Sequence, residues 1–512
     1  MKSDRLEPTA TLAQPPSPPT ESVEQHGREM TSGALFILVF QVLALPIGVV
    51  ISAFLARRLG PVDYGVYAVA ASIVAWLQVS ITTLFSRSSI RLIADAGEAG
   101  ESSDWQSLTS TIVGIQFVSG VALGLAIFIT APLVAAALNT PDLVSPLRLF
   151  SIAPPLFAAG KGYTSALIGR RAYRRSSLFP AVHSLTRLVI VIVLVGSGWG
   201  ISGAVLGTIG GLSAELIFAR FFVRSPIISR ASFPMRQFIL YSLPLALDSL
   251  SRRLSNGIDL WVVQAIGGSR VAGFYGAADN FSISTTLLGT SLASPLLATV
   301  THLWKNGQTD DARIIIHQVL RLSFCLLPIA AIGSATAAEL VTFVYGETYL
   351  PAASILAWLF FAALASLISN LTTSMLAAIG RPGVTFAITG PLLLPSLIFT
   401  LFLVPRVGAV GAAATAVLVG WAGVLGTLWA LRHWCNVGPG RITVARVSLV
   451  SLVSFFLANA WHVPGAWVIP QLLALSGVAV LLLWGSGELT RKDLTFALSL
   501  FKRGNPISGR SL

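Results

Sequence analysis

Apolar runs of about twenty residues recur along almost the whole of this 512-residue chain. A helix of twenty residues is about 30 Å long, the thickness of the hydrocarbon core of a bilayer. No water-soluble core accommodates so many such runs. Only 11% of the residues are charged and 54% are hydrophobic, whereas soluble domains carry about 25% charge. The fold class is therefore an all-α polytopic membrane protein. About fourteen spans are counted, near 32–56, 64–84, 108–138, 143–168, 176–196, 201–222, 237–266, 273–300, 314–337, 352–379, 383–404, 409–431, 444–461 and 466–486. Pro and Gly within them are tolerated, because neighbouring helices satisfy the freed backbone groups.

The polar N-terminal tail, 1–31, contains Pro15 to Pro19 in "PPSPP" and reads as disordered. The apolar run that follows it is too long for a cleaved signal, and many spans come after it. The formal net charge of +13 suggests nucleic acid in a soluble protein, but in a membrane protein cytosolic loops collect Lys and Arg. With the N-terminus inside, roughly 25 basic residues fall on the cytosolic side, among them Arg170, Arg171, Arg174 and Arg175 of "RRAYRR". About four fall outside: Arg57, Arg58, Arg270 and Arg406. Both termini are expected in the cytosol, and no nucleic-acid partner is expected. The two cysteines, Cys325 in a span and Cys435 in a loop, are too far apart in sequence to imply a disulfide framework or a metal site.

An internal repeat is visible. "LGPVDYGVYAVA" starts at Leu59 and "IGGSRVAGFYGAA" at Ile266, which aligns Gly65 with Gly273 and Tyr67 with Tyr275, 208 residues on. Gly200, Gly203 and Ala204 meet Gly408, Gly411 and Ala412 at the same offset, and Gly169-Arg170 meets Gly380-Arg381 after 211. Gly and Ala are common here, so each pair alone is weak; the shared offset argues for duplication. The expected organisation is an N-lobe of six spans (32–236), a C-lobe of six (237–432), two appended spans (433–490) and a cytosolic tail (491–512). Six is even, so the lobes are related by an axis along the membrane normal.

Span 7 holds the most unusual stretch, "LDSLSRRLSNGIDLW" from Leu247 to Trp261. At about 100° per residue, Asp248, Arg252, Ser255, Asn256 and Asp259 share one helical face and Arg253 borders it. Leu247, Leu250, Leu254, Ile258 and Trp261 take the other side. A charge facing lipid at the bilayer centre costs about 3 kcal/mol or more, so the polar stripe is expected to face the bundle interior or water. Asp248 and Arg252 can also pair at i, i+4, which is a purely structural use.

Other spans hold Arg148, Lys161, His183, Arg187, Glu215, Asp279 and Asn280. Cations outnumber acids near the expected centre, which suits an anionic substrate. Blander readings stand beside this one. Arg148 snorkels, Glu215 is structural near the cytosolic interface, and His183 is a hydrogen-bonded interior residue. The Gly203, Gly207, Gly211 ladder fits close helix packing. The chain has no Walker A motif, so it is not an ATP-driven pump. It also has no long outward loop of the kind a membrane glycosyltransferase or ligase needs.

From "RRLGPVDYGVYAVAASI" (Arg57 to Ile73) the chain resembles the polysaccharide-exporter, or O-antigen flippase, family of the multidrug/oligosaccharidyl-lipid/polysaccharide exporter superfamily. "FILYSLPLALDSLSRRLSNGIDLWVVQAIGGSRVAGFYGAA" (Phe238 to Ala278), "LVTFVYGETYLPAA" (Leu340 to Ala353), "MLAAIGRPG" (Met375 to Gly383) and "VPRVGAVGAA" (Val404 to Ala413) agree in order and spacing. The resemblance extends over about residues 30–485. It implies a fourteen-helix, two-lobed flippase with a central cavity. Such a protein moves polyprenyl-pyrophosphate-linked oligosaccharide across the bacterial inner membrane for polysaccharide or O-antigen synthesis. Arg57 and Arg58 carry over as basic residues of the first loop, and Asp259 as an acid late in span 7.

The resulting expectation is a non-enzymatic flippase working by alternating access. Arg252, Arg253, Lys161 and Arg187, with Arg57 and Arg58, would attract the pyrophosphate, since guanidinium matches phosphate oxygens. Asp248, Asp259 and Asp279 would couple to protons or sodium, with no other cofactor. Membrane lipids, a polysaccharide polymerase and chain-length machinery are the expected partners. The alternatives are a cation-coupled multidrug exporter, which would favour an acidic cavity, a membrane glycosyltransferase or ligase, and a non-transporting scaffold.

Overall fold

The computed structural model describes residues 20–98, 104–170, 172–223, 257–282, 296–297, 299–463 and 465–489. Every regular element among the described residues is helical. Eleven of the described helices are long and apolar enough to cross a membrane. They account for all the expected spans except 7 and 8, because the stretch Pro46–Ser80 contains two of them. Spans 7 and 8 fall partly on 224–256 and 283–295, outside the described residues.

Helix α1 (Thr20–Glu98) runs for 79 residues but breaks at Gly60, where φ is 74° and ψ is 172°. A Cβ disfavours this conformation. Nothing lies within 4 Å of where that Cβ would be, so the demand is one of backbone geometry and not of space. The chain turns back on itself here. Ser52 Oγ and Tyr64 OH are 2.7 Å apart, although a straight helix would separate them by about 18 Å. Helix α8 (257–282) repeats the device at Gly268, with φ 75°. Its two arms also close up, since a Cβ on Gly276 would sit 3.9 Å from the Leu260 side chain.

Positive φ angles recur at matching places elsewhere. Gly200 (53°) matches Gly408 (69°), and Asn139 (52°) matches Gly346 (95°). The Gly200–Gly408 correspondence of the sequence is therefore a conformational one, whereas Gly169 is helical and Gly380 has a φ of 82°. In the first half α1 packs with α2 (Asp104–Ala137), α3 (Val144–Phe150), α4 (Ala153–Gly169), the one-turn α5 (Tyr173–Ser176), α6 (Leu178–Gly196) and α7 (Gly200–Val223). In the second half α9 (Thr309–Phe324), α10 (Leu327–Ala335), α11 (Ala337–Tyr345), α13 (Pro382–Thr389) and α14 (Leu393–Val407) gather on the pair α12 (Ala352–Ala378) and α15 (Ala409–Cys435). Helices α16 (Arg441–Ala460) and α17 (Val468–Gly485) lie against α10. Cys435, expected in a loop, is the buried last residue of α15.

The helices are two-faced in the sense lipid requires. On α6, Leu185, Val189, Ile192 and Val193 are exposed, while His183 and Arg187 are half-buried and Val191 is buried. That apolar face would be a liability in water and is the expected surface in hydrocarbon. The polar residues are thereby turned toward α7 and α1.

Candidate functional site in the first half

Four elements build a pocket of about 200 Å³. Helix α4 supplies Phe157 and Lys161, α6 supplies Pro180, His183 and Ser184, α7 supplies Thr208, Leu212 and Glu215, and the second arm of α1 supplies Gln78. Small residues bring these helices together. A Cβ on Gly211 would come within 2.8 Å of the His183 carbonyl oxygen and 3.0 Å of Arg187 Cβ, and one on Gly207 within 2.4 Å of Val191. The Gly203, Gly207, Gly211 ladder is thus the seam along which α6 meets α7, as its spacing suggested.

Glu215 is the centre of the charge arrangement. Lys161 Nζ stands 3.9 Å from its Oε1, and His183 Nδ1 stands 3.6 Å from its Oε2. Both separations exceed a hydrogen bond, so the carboxylate is held by the field of its neighbours. Only 8% of the Glu215 side chain is exposed, against 33% for Lys161, whose ammonium reaches open space over the Phe157 ring. Arg187 donates from Nη2 to Tyr67 OH at 2.8 Å. His183 Nδ1, Arg187 Nε and Gln78 Nε2 are buried without a hydrogen-bond partner. Buried donors of this kind are costly unless something fills the pocket. The structure seats Glu215 between Lys161 and His183 within the bundle.

Asp259 and Asp279 form a second cluster, on the two arms of α8. Thr400 of α14 donates to Asp259 Oδ1 at 3.1 Å. Asp279 and Tyr275 are electrostatic neighbours of Asp259. Neither aspartate lines the Lys161 pocket. Asp248, Arg252 and Arg253 lie outside the described residues. Of the expected site residues, the structure therefore groups Lys161 with Arg187, and Asp259 with Asp279.

The two halves meet at the Gly60 end of the molecule. A Cβ on Gly65 would be 1.9 Å from the Ser269 carbonyl oxygen, and one on Gly273 would be 2.0 Å from that of Pro61. The contact is reciprocal, since Ser269 stands to Gly273 as Pro61 does to Gly65. Around it, Ser52 Oγ is 3.3 Å from Tyr345 OH, Tyr345 OH donates to the Ala277 carbonyl at 2.9 Å, and Asn280 donates to Tyr64 OH at 3.3 Å. Arg57 donates from Nε to the Val344 carbonyl at 2.9 Å and from Nη2 to that of Phe343. Those carbonyls belong to the last turn of α11, where a cation suits the helix dipole. Arg58 is exposed over the Phe54 ring, and Arg148 is exposed over Phe128, in keeping with a snorkelling side chain. Deeper along the same junction Trp261 donates to Ser72 Oγ at 3.0 Å and meets Trp76 edge-on.

The tyrosine network was not legible as a junction. Its signal was present in "VYGETYL", whose Tyr345 and Tyr349 meet at a tilt, while Tyr349 also meets Tyr64 and Phe274 edge-on.

Comparisons with known proteins agree with this architecture. The polysaccharide biosynthesis protein family matches residues 30–300. The chain is 23% identical over 392 residues to the Shigella flexneri protein named "Putative O-antigen transporter", covering 75% of this chain and 93% of that one. Among solved structures, the lipid II flippase MurJ in an inward closed conformation superposes with a TM-score of 0.75 at 15% identity, covering 90% of this chain and 99% of MurJ. An inward-facing multidrug resistance MATE family transporter superposes with a TM-score of 0.58 at 16% identity, covering 79% and 94%. At such identities the likeness to MurJ and to the MATE transporter is one of fold.

Proposed function

This chain belongs to the polysaccharide biosynthesis protein family, and from that premise we propose that it is a flippase for a polyprenyl-pyrophosphate-linked oligosaccharide in the bacterial inner membrane. The observation that carries the reading is the pocket lined by Lys161, His183 and Glu215, sunk among spans 2, 4, 5 and 6, with Arg187 one turn beyond His183 and bonded to Tyr67. Half-buried guanidinium and ammonium groups are expensive in hydrocarbon, and a neutral or cationic cargo offers them no partner. A diphosphate linking lipid to sugar does, since it offers oxygens to charge-assisted donors. With Arg187 beside the pocket, the cluster holds two permanent cations to one acid, which argues against the multidrug alternative.

In this reading the halves 32–236 and 237–432 rock against each other, parting and rejoining at the Gly65–Gly273 contact. The Gly60 end is the outward one, by the distribution of Lys and Arg, and it is closed here. The lipid tail stays in the bilayer while the head crosses between the halves, so no covalent step is required. Asp259 and Asp279 are the carboxylates placed to take up a proton or sodium ion. Product on the outer face would pass to a polymerase and its chain-length partners.

The test is reconstitution in liposomes with fluorescent lipid-linked oligosaccharide and an outside quencher. Lys161→Ala should slow flipping at least about tenfold, the loss of one charge-assisted contact worth about 1.5–3 kcal/mol. Lys161→Arg should keep partial activity. Unchanged flipping by a correctly inserted Lys161→Ala protein would refute the pocket as the site.

A further inference from the structure

Glu215 is an odd resident of a pocket meant for an anion. It repels the very group the pocket would bind, and its removal would leave more positive charge for that group. Yet it sits where an anion would, between Lys161 Nζ and His183 Nδ1, at 3.9 and 3.6 Å. Its carboxylate is also at hand without being tied down, since neither neighbour is within hydrogen-bonding distance. Helix α4 flanks it with Gly160, where a Cβ would be in ordinary contact with Oε1 at 3.8 Å, so no side chain of that residue hems the carboxylate in.

We propose that Glu215 is an internal stand-in for the substrate's phosphate charge, which neutralises the empty pocket so that the protein can change conformation without cargo. This rests on the anion-binding reading of the pocket. A flippase must complete half of its cycle empty. Closing an unneutralised ammonium into a water-poor site is costly, and pairing removes much of that cost. When the diphosphate arrives it takes over Lys161 and His183, and Glu215 turns away from them on the side that Gly160 leaves without a side chain.

The charged and titratable groups facing Glu215 are few. Helix α4 brings Lys161, and α6 brings His183 and, one turn on, Arg187, already bonded to Tyr67. The second arm of α1 brings the neutral Gln78. Arg148 on α3 is exposed over Phe128. Arg220, further along α7, is engaged with Tyr163. Among the described residues Glu215 is the acid that lines the pocket, so its neutralising role falls to no neighbour.

The experiment uses the full chain in nanodiscs, with inorganic pyrophosphate as probe and spin labels at Asp63 and Arg270 to follow opening of the Gly60 end. Glu215→Gln should bind pyrophosphate about tenfold more tightly than the unmutated protein, because a like charge has gone. Without pyrophosphate it should populate a single conformation and interconvert more slowly; added pyrophosphate should restore interconversion. Glu215→Asp should behave as the unmutated protein in the empty state. The double variant Lys161→Gln, Glu215→Gln should interconvert freely when empty and bind pyrophosphate weakly, and it carries the test with Glu215→Asp if the single variant does not fold. The proposal is overturned if the empty Glu215→Gln protein interconverts normally, or if its affinity for pyrophosphate is unchanged or weaker. No binding by the unmutated protein would instead remove the anion pocket itself, and this role with it.

Discussion

Placing one methyl group at the junction of the halves should move the whole conformational equilibrium. A Cβ on Gly65 would stand 1.9 Å from the Ser269 carbonyl oxygen and 2.8 Å from the Gly273 nitrogen. Separations under 3.0 Å are essentially never seen for a real Cβ, so Gly65→Ala requires the backbones to part by about 1 Å. Both obstacles are backbone, and no rotamer change relieves them. Overpacking of this kind costs about 1–3 kcal/mol in the state that must accommodate it. A state open at this end is spared that cost. The population closed here should therefore fall about 5- to 150-fold relative to the open one. Gly273→Ala should act alike, since its Cβ would meet the Pro61 carbonyl oxygen at 2.0 Å. The two together should cost less than their sum, because parting the backbones once relieves both. Gly48→Ala and Gly477→Ala are the controls, with nothing within 4 Å of the added atom. The assay is the distribution of distances between spin labels at Asp63 and Arg270, both exposed. The distribution should lengthen in the two junction variants and stay unchanged in the controls. A Gly65→Ala protein with an unmutated distribution would refute the idea that this contact closes the molecule.

Two other perturbations probe the supports of the same architecture. Arg57→Gln should lose the bonds to the Val344 and Phe343 carbonyls and weaken the closed end by about 1 kcal/mol, discounted for exposure; the same spin-label pair would report it, and Arg57→Lys should be intermediate. Thr400→Val keeps the side chain's shape but removes the donor to the buried Asp259, which should cost about 1–3 kcal/mol. It should lower the thermal unfolding midpoint and alter the sodium dependence of flipping, and an unchanged sodium dependence would detach Asp259 from coupling.

Much of the fold was legible because the constraints behind it are local. Hydrocarbon imposes its demand on each run of residues separately, so spans such as 108–138 and 409–431 could be read one at a time and reappear as Gln106–Ala137 and Ala409–Cys435. The duplication was legible for a similar reason. A positive φ nearly demands glycine, so Gly60 and Gly268, or Gly200 and Gly408, mark equivalent turns. The candidate site was legible in part. Lys161 and Arg187 stood out as charges inside apolar runs, but nothing near either of them in sequence named Glu215 as a neighbour.

The sequence by itself determined that this chain spans a membrane many times as helices, repeats a turn-bearing hairpin, and carries charge where lipid penalises it. Only the tertiary structure decided what those charges face. Lys161, His183 and Glu215 belong to three different spans and come within 4 Å because glycines let α6 and α7 close up. Arg57, which reads as a functional cation of the first loop, is bonded to the last turn of α11, nearly three hundred residues away. The physical reason is one of range. Burial in lipid is a property of a segment, whereas the partner of a buried charge is fixed by how separate helices pack, and that depends on shapes distributed over the whole chain.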